Sequence, residues 1–121
     1  ATQFVMILDA LQLRLLEKIR SDLAGYSVVR STSPLDNRAI WLEIFADGIH
    51  KGNSCQTLLK KLNINCKEVA GLGNDYNDID FLDICAEAYL VANAPVNLQR
   101  HYKLVKSDKE EGFTEFISKV L

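Results

Sequence analysis

The sequence predicts an α/β protein: a parallel sheet with helices on both faces, preceded by part of a smaller α+β layer. Three observations predict it. Residues 51 to 121 alternate helix-like and strand-like segments, the signature of strands joined by helical crossovers. Their strand-like segments are short and apolar, as strands covered by helices are. Residues 1 to 46 read instead as β-α-β-β. The boundary falls at 46 to 50, giving regions 1–46 and 47–121.

"QFVMIL", residues 3 to 8, predicts a buried strand. A helix over 10 to 25 follows, with Leu11, Leu15, Leu16, Ile19 and Leu23 at helical spacing, Asp9 as cap and Gly25 as stop. "YSVVRST" and "AIWLEIFA" predict strands, separated by turn chemistry around Pro34, Asp36 and Asn37. "NSCQTLLKKLN" predicts a helix capped by Asn53 or Ser54, with Cys55, Leu58, Leu59 and Leu62 apolar. "EVAGLG" is a short buried strand, and "NDIDFLDICAE" a helix that starts in a polar turn. "AYLVAN" is a strand, and "APVNLQRHY" a helix with Pro95 in its first turn. "KLVKS" is a strand. "GFTEFISKVL" closes the chain as a helix, with Phe113, Phe116, Ile117 and Val120 on one side. Residues 107 to 111, "SDKEE", read as a solvated loop.

Lys and Arg total 14 against 16 Asp and Glu, so no basic excess marks a nucleic-acid partner. No apolar run reaches the ~20 residues of a membrane span. The opening "ATQFVMILDA" lacks the basic leader of a signal peptide. Cys55, Cys66 and Cys85 are odd in number and form no CxxC, which argues against zinc and a disulfide framework. Cys55 and Cys85 as buried thiols, in a reducing, cytoplasmic compartment, are the expectation. The chain opens at Ala1, as a processed product or a fragment does.

The stretch "VAGLGNDYNDIDFL" sets Asn74, Asp75, Asn77 and Asp78 immediately after an apolar strand. Ligands of open parallel sheets bind beyond the carboxyl ends of the strands. Hard oxygens clustered there suit Mg²⁺, which shares its shell with water and phosphate. Asn77 or Asp78 serving only as a helix cap, with Asp75 solvated, is the plainer alternative. The pattern is not an EF-hand: counting from Asp75, Ile79 takes the fifth place and no Gly the sixth. Lys51 precedes the helix that leads to this strand and can reach the rim as a point charge for phosphate, or stay a surface Lys. Asn93 ends the next strand at the same edge, or caps the helix that Pro95 opens. Three separate segments thus converge on one end of one sheet.

"LEIFADGIHKGNSCQTLLKKLNI", "VAGLGNDYNDIDFLDIC", "LVANAPVNLQ" and "DKEEGFTEFISKVL" resemble, in order and spacing, the C-terminal portion of Cof-type phosphatases of the haloacid dehalogenase-like (HAD) superfamily. The resemblance spans residues 39 to 121, and residues 1 to 38 resemble the second half of the family's inserted cap domain. It implies a partial cap over 1–46 and the C-terminal half of a Rossmann-like core over 47–121. It also implies Mg²⁺-dependent hydrolysis of small phosphorylated metabolites such as sugar phosphates. Lys51 matches the catalytic Lys that contacts phosphate and nucleophile. Asn77 matches the Asn near the phosphoryl group, and Asn93 an Asn at the site's edge. Asn74 stands where the family has a metal-binding Asp, and Asp78 matches the acidic residue that supports the metal shell.

Two departures matter. Asn74 keeps an oxygen ligand but brings no charge, which weakens metal binding; Asp75 substitutes if the turn shifts by one residue. The family's Asp-x-Asp-x-Thr nucleophile motif is absent, for Asp9 is followed by Ala10, Leu11 and Gln12. The expectation is a chain inactive alone, lacking an attacking atom. An open sheet edge would then pair with the missing N-terminal half or with another copy. A non-enzymatic α/β module that binds a metal, phosphate or partner at the same rim is the alternative. A receiver-like signalling domain fails on the order of its acidic residues.

Overall fold

The computed structural model describes residues 2–33 and 39–121. They form two compact units, one of residues up to His50 and one from Lys51 to Leu121.

In the first unit, β1 (Phe4–Asp9), α1 (Leu16–Asp22), β2 (Tyr26–Thr32) and β3 (Ala39–Ala46) follow in order. The strands form an antiparallel sheet in the order β1-β3-β2. Leu8, Leu16, Ile40 and Leu42 make its core, with Ile19 and Val28 against them. Asp9 caps the segment after β1 as expected: its Oδ1 accepts from the Leu11 N–H at 2.8 Å, and Gln12 returns a bond to the Asp9 N–H at 3.0 Å. This reciprocal box opens a 3₁₀ turn, Ala10–Leu15, so the expected helix over 10–25 forms an α-helix only from Leu16. Gly25 ends the segment at φ +104°, where a side chain would be strained. The expected burial of residues 3 to 8 is corrected. Phe4, Val5, Met6 and Ile7 are exposed and only Leu8 is buried. β1 is an edge strand, and one short helix does not cover its length. The turn expected around Pro34, Asp36 and Asn37 lies outside the described residues.

In the second unit, α2 (Lys51–Leu62), β4 (Ala70–Gly73), α3 (Ile79–Leu82), β5 (Glu87–Val91), α4 (Val96–Gln99), β6 (Lys103–Val105) and α5 (Gly112–Val120) alternate. The three strands pair in parallel in the order β4-β5-β6, with β4 at one edge. Leu82, Tyr89, Leu90, Val91, Leu98, Val105 and Phe116 are the core, and Leu90 is wholly buried in the central strand. Phe116 of α5 meets Tyr89 edge-on at 5.4 Å between ring centroids.

Several boundaries differ from expectation. α2 starts at Lys51, so Asn53 and Ser54 lie inside the helix rather than capping it. α3 is a single turn, because the Ala86 and Glu87 N–H groups already bond the Val69 carbonyl and draw the chain into β5. Pro95 sits at the cap of α4, one residue before its first turn. Among the described residues no helix is long and apolar enough to cross a membrane. All three cysteines are free, but none is buried: Cys55 and Cys85 are half-buried and Cys66 is exposed.

Candidate active site

The polar turn forms at the carboxyl end of β4 and folds around one carboxylate. Asp78 is 5% exposed. Its Oδ2 accepts from the N–H groups of Asn74 at 2.8 Å and Asp75 at 3.2 Å. Those bonds close a 3₁₀ turn, Tyr76–Asp78, just ahead of α3. Gly73 makes the closure possible: a Cβ there would lie 2.7 Å from Asp78 Cβ. Asp75 is also buried, and its Oδ1 accepts from the Tyr76 N–H at 2.7 Å. It is therefore a cap rather than the solvated residue of the plainer reading, and its carboxylate serves the turn.

The other oxygen of Asp78 faces Lys51. Lys51 Nζ donates to Asp78 Oδ1 at 2.5 Å and to Asn77 Oδ1 at 3.3 Å. The ammonium side chain is half-exposed while the carboxylate is buried. A buried carboxylate is costly unless donors compensate it; here one ammonium and two backbone N–H groups do so. The first residue of α2 thus meets the turn after β4, more than twenty residues later in the chain.

Asn74 is exposed, and with Gly73, Asp78, Val91, Asp108 and Glu111 it lines a cleft of about 350 Å³. Asn93, after β5, lies on a neighbouring loop. Its Nδ2 donates to Asp108 Oδ1 at 2.8 Å, and its Oδ1 accepts from the Asp108 N–H at 3.2 Å. So the structure joins Lys51, Asn77 and Asp78 by direct contact and adds Asn74 through its backbone. Asn93 is engaged by Asp108 instead.

Asp108 and Glu111 escaped the sequence reading, which placed them in a solvated loop. The available signal was positional: that loop follows β6, so it too stands at the carboxyl end of a strand. Glu111 has left-handed backbone, φ 64° and ψ 36°, at the cap of α5.

The oxygen chemistry of this rim suits a hard divalent cation, but Asn74 and Asp78 supply only two side chains. Both Asp78 oxygens already accept protein donors. Among the described residues no group of three His, Cys, Asp or Glu is disposed to hold a metal. Mg²⁺ here would draw its other ligands from water, from a phosphate or from protein beyond these residues.

Comparisons with known proteins agree with this fold. The Streptococcus pyogenes serotype M6 protein named "Putative phosphatase M6_Spy0533" is 27% identical over 95 residues, covering 78% of this chain and 33% of that protein. The crystal structure of SMU.1108c from Streptococcus mutans UA159 superposes with a TM-score of 0.80 at 24% identity, covering 98% of this chain and 44% of that one. The HAD subclass IIB sugar phosphatase BT4131 superposes at 0.77 with 14% identity, covering 97% and 42%. The chain therefore spans a third of that relative and under half of those structures. The model of the haloacid dehalogenase-like hydrolase family matches residues 2–117, and the chain belongs to that family.

Proposed function

We propose that this chain is the C-terminal portion of a Cof-type, Mg²⁺-dependent phosphatase acting on small phosphorylated metabolites such as sugar phosphates. The observation that carries the reading is the Lys51 ammonium held over the carboxyl end of β4 by Asp78 and Asn77. Lys51 and Asn77 bind the phosphoryl oxygens, with Asn93 on the outer edge. Asn74 and Asp78 support the metal, Asp78 through water because both its oxygens already accept protein donors. Bound Mg²⁺ neutralises charge on the phosphoryl group. The donors are fixed before substrate arrives, so they stabilise developing charge without reorganising.

The nucleophilic Asp and the acid/base Asp belong to the part of the longer protein outside this chain. Residues 1–46 form part of the cap that selects the substrate, and 47–121 form the C-terminal half of the core. The open edge of β4 pairs with the remainder of the protein or, in its absence, with another copy. A cytoplasmic location fits the three free thiols.

The test is hydrolysis of p-nitrophenyl phosphate and a panel of sugar phosphates by the full-length protein. Turnover is expected with Mg²⁺ and not with chelator, while the 121-residue chain alone should be inactive. Turnover by the pure chain that Lys51→Ala abolishes would refute the division of labour. One observation favours the second reading, a binding module: an amide stands at position 74 in place of a carboxylate. Phosphate binding without hydrolysis by the full-length protein would establish that reading.

A further inference from the structure

We infer that Gly52 is a positioning residue for Lys51, because only a residue without Cβ lets the start of α2 approach α3 closely enough for the ammonium to reach Asp78 and Asn77. The inference rests on the phosphate-binding role proposed for Lys51. Gly52 is buried and shares a stripe of α2 with half-buried Cys55 and buried Leu59, spaced as one helical face. α2 packs against α3, and Gly52 lies against Asp80 there. A Cβ built on Gly52 would lie 2.5 Å from the Asp80 carbonyl oxygen, 2.9 Å from its carbonyl carbon and 3.0 Å from its Cβ. The two nearest atoms are backbone, so no rotamer change relieves the clash.

Ordinary contact begins at 3.4 Å, so the first turn of α2 would have to retreat by roughly 0.9 Å from Asp80 O. Asp80 lies on α3 two residues beyond Asp78, so the retreat moves Lys51 away from its own partners. The Asn77 contact, already 3.3 Å long, would pass out of hydrogen-bond range. Ala and Ser are equally excluded. The requirement is for close backbone approach, not for unusual dihedrals.

The test is a double-mutant cycle in the full-length protein, with inorganic phosphate as ligand and titration calorimetry as readout. Gly52→Ala should weaken phosphate binding by about ten- to a hundred-fold, the scale of a ~1 Å misplacement. In a Lys51→Met background the same change should have no further effect. Unchanged affinity in Gly52→Ala, or an equal loss in both backgrounds, overturns the proposal. The crystal structure of Gly52→Ala gives a second readout that needs no phosphate. Lengthened contacts from Lys51 Nζ to Asp78 and Asn77 support positioning, and unchanged contacts overturn it. If Lys51→Met alone leaves phosphate affinity intact, the role proposed for Lys51 fails, and this crystallographic readout alone decides Gly52. Should Gly52→Ala not fold, the crystal structure of the unmodified protein decides. A contact under 3.0 Å between the built Cβ and Asp80 O supports the inference, and open space there overturns it.

Discussion

Asp78 works at two places at once, holding the turn with one oxygen and Lys51 with the other. Asp78→Asn should therefore destabilise the fold, since an amide nitrogen must face either the backbone donors or the ammonium. Breaking a buried ion pair costs about 3–5 kcal/mol. Lys51 is half-exposed and water can solvate it, so the expected loss is nearer about 2 kcal/mol, read by urea unfolding. Asn74 is different, being exposed at the cleft with its backbone N–H bound to Asp78. Asn74→Asp should tighten Mg²⁺ binding in the full-length protein without altering stability; unchanged affinity by calorimetry would remove Asn74 from the metal's neighbours.

Cys85 carries a pH prediction. Burial first, then the nearby Cys55 and Cys66 thiols, push its pKa up to about 11. Its Sγ also donates to the Phe81 carbonyl at 3.3 Å. The folded chain keeps this proton where the unfolded chain has lost it. Stability from this group is therefore full below the unfolded thiol's pKa and falls as pH rises from about 9 toward about 11. At pH 8 iodoacetamide should label exposed Cys66 well before Cys85, and mass spectrometry of the peptides checks the order.

At the level of elements, local capping decides where segments begin. The box between Asp9 and Gln12 fixes the exit from β1. Asp9→Ala should cost about 1 kcal/mol, measured as a lowered denaturation midpoint. That cap was legible because Asp stands immediately before a periodic apolar segment. The start of α2 was not. Asn53 and Ser54 look like caps by residue type, yet the helix already runs through them from Lys51. Its first residue is also held by a long-range contact, that of Lys51 with Asp78, which no local pattern announces. The polar turn itself was readable from glycines and oxygen-bearing side chains between two apolar segments. Its internal wiring, with Asp75 as cap and Asp78 as hub, depends on burial, which residue type alone does not express. Asp108 was missed for a similar reason, since only the parallel pairing of β5 with β6 brings its loop beside Asn93.

For the whole molecule, strand and helix alternation carried the parallel sheet, and the β-α-β-β order carried a separate α+β layer, whose antiparallel pairing in the order β1-β3-β2 was not legible in the sequence. Exposure of β1 was illegible, because Phe4 to Ile7 are apolar enough for a core and only the absence of covering elements among the described residues leaves them in solvent. The proposed phosphatase function depends on a charge cluster that this chain assembles from α2 and the turn after β4.

The most direct test of that claim is kcat/KM for p-nitrophenyl phosphate with Mg²⁺, measured for the full-length protein and its Lys51→Met variant. Loss of one preorganised donor predicts a fall of about a hundred-fold or more with the fold intact. An unchanged kcat/KM would contradict the account.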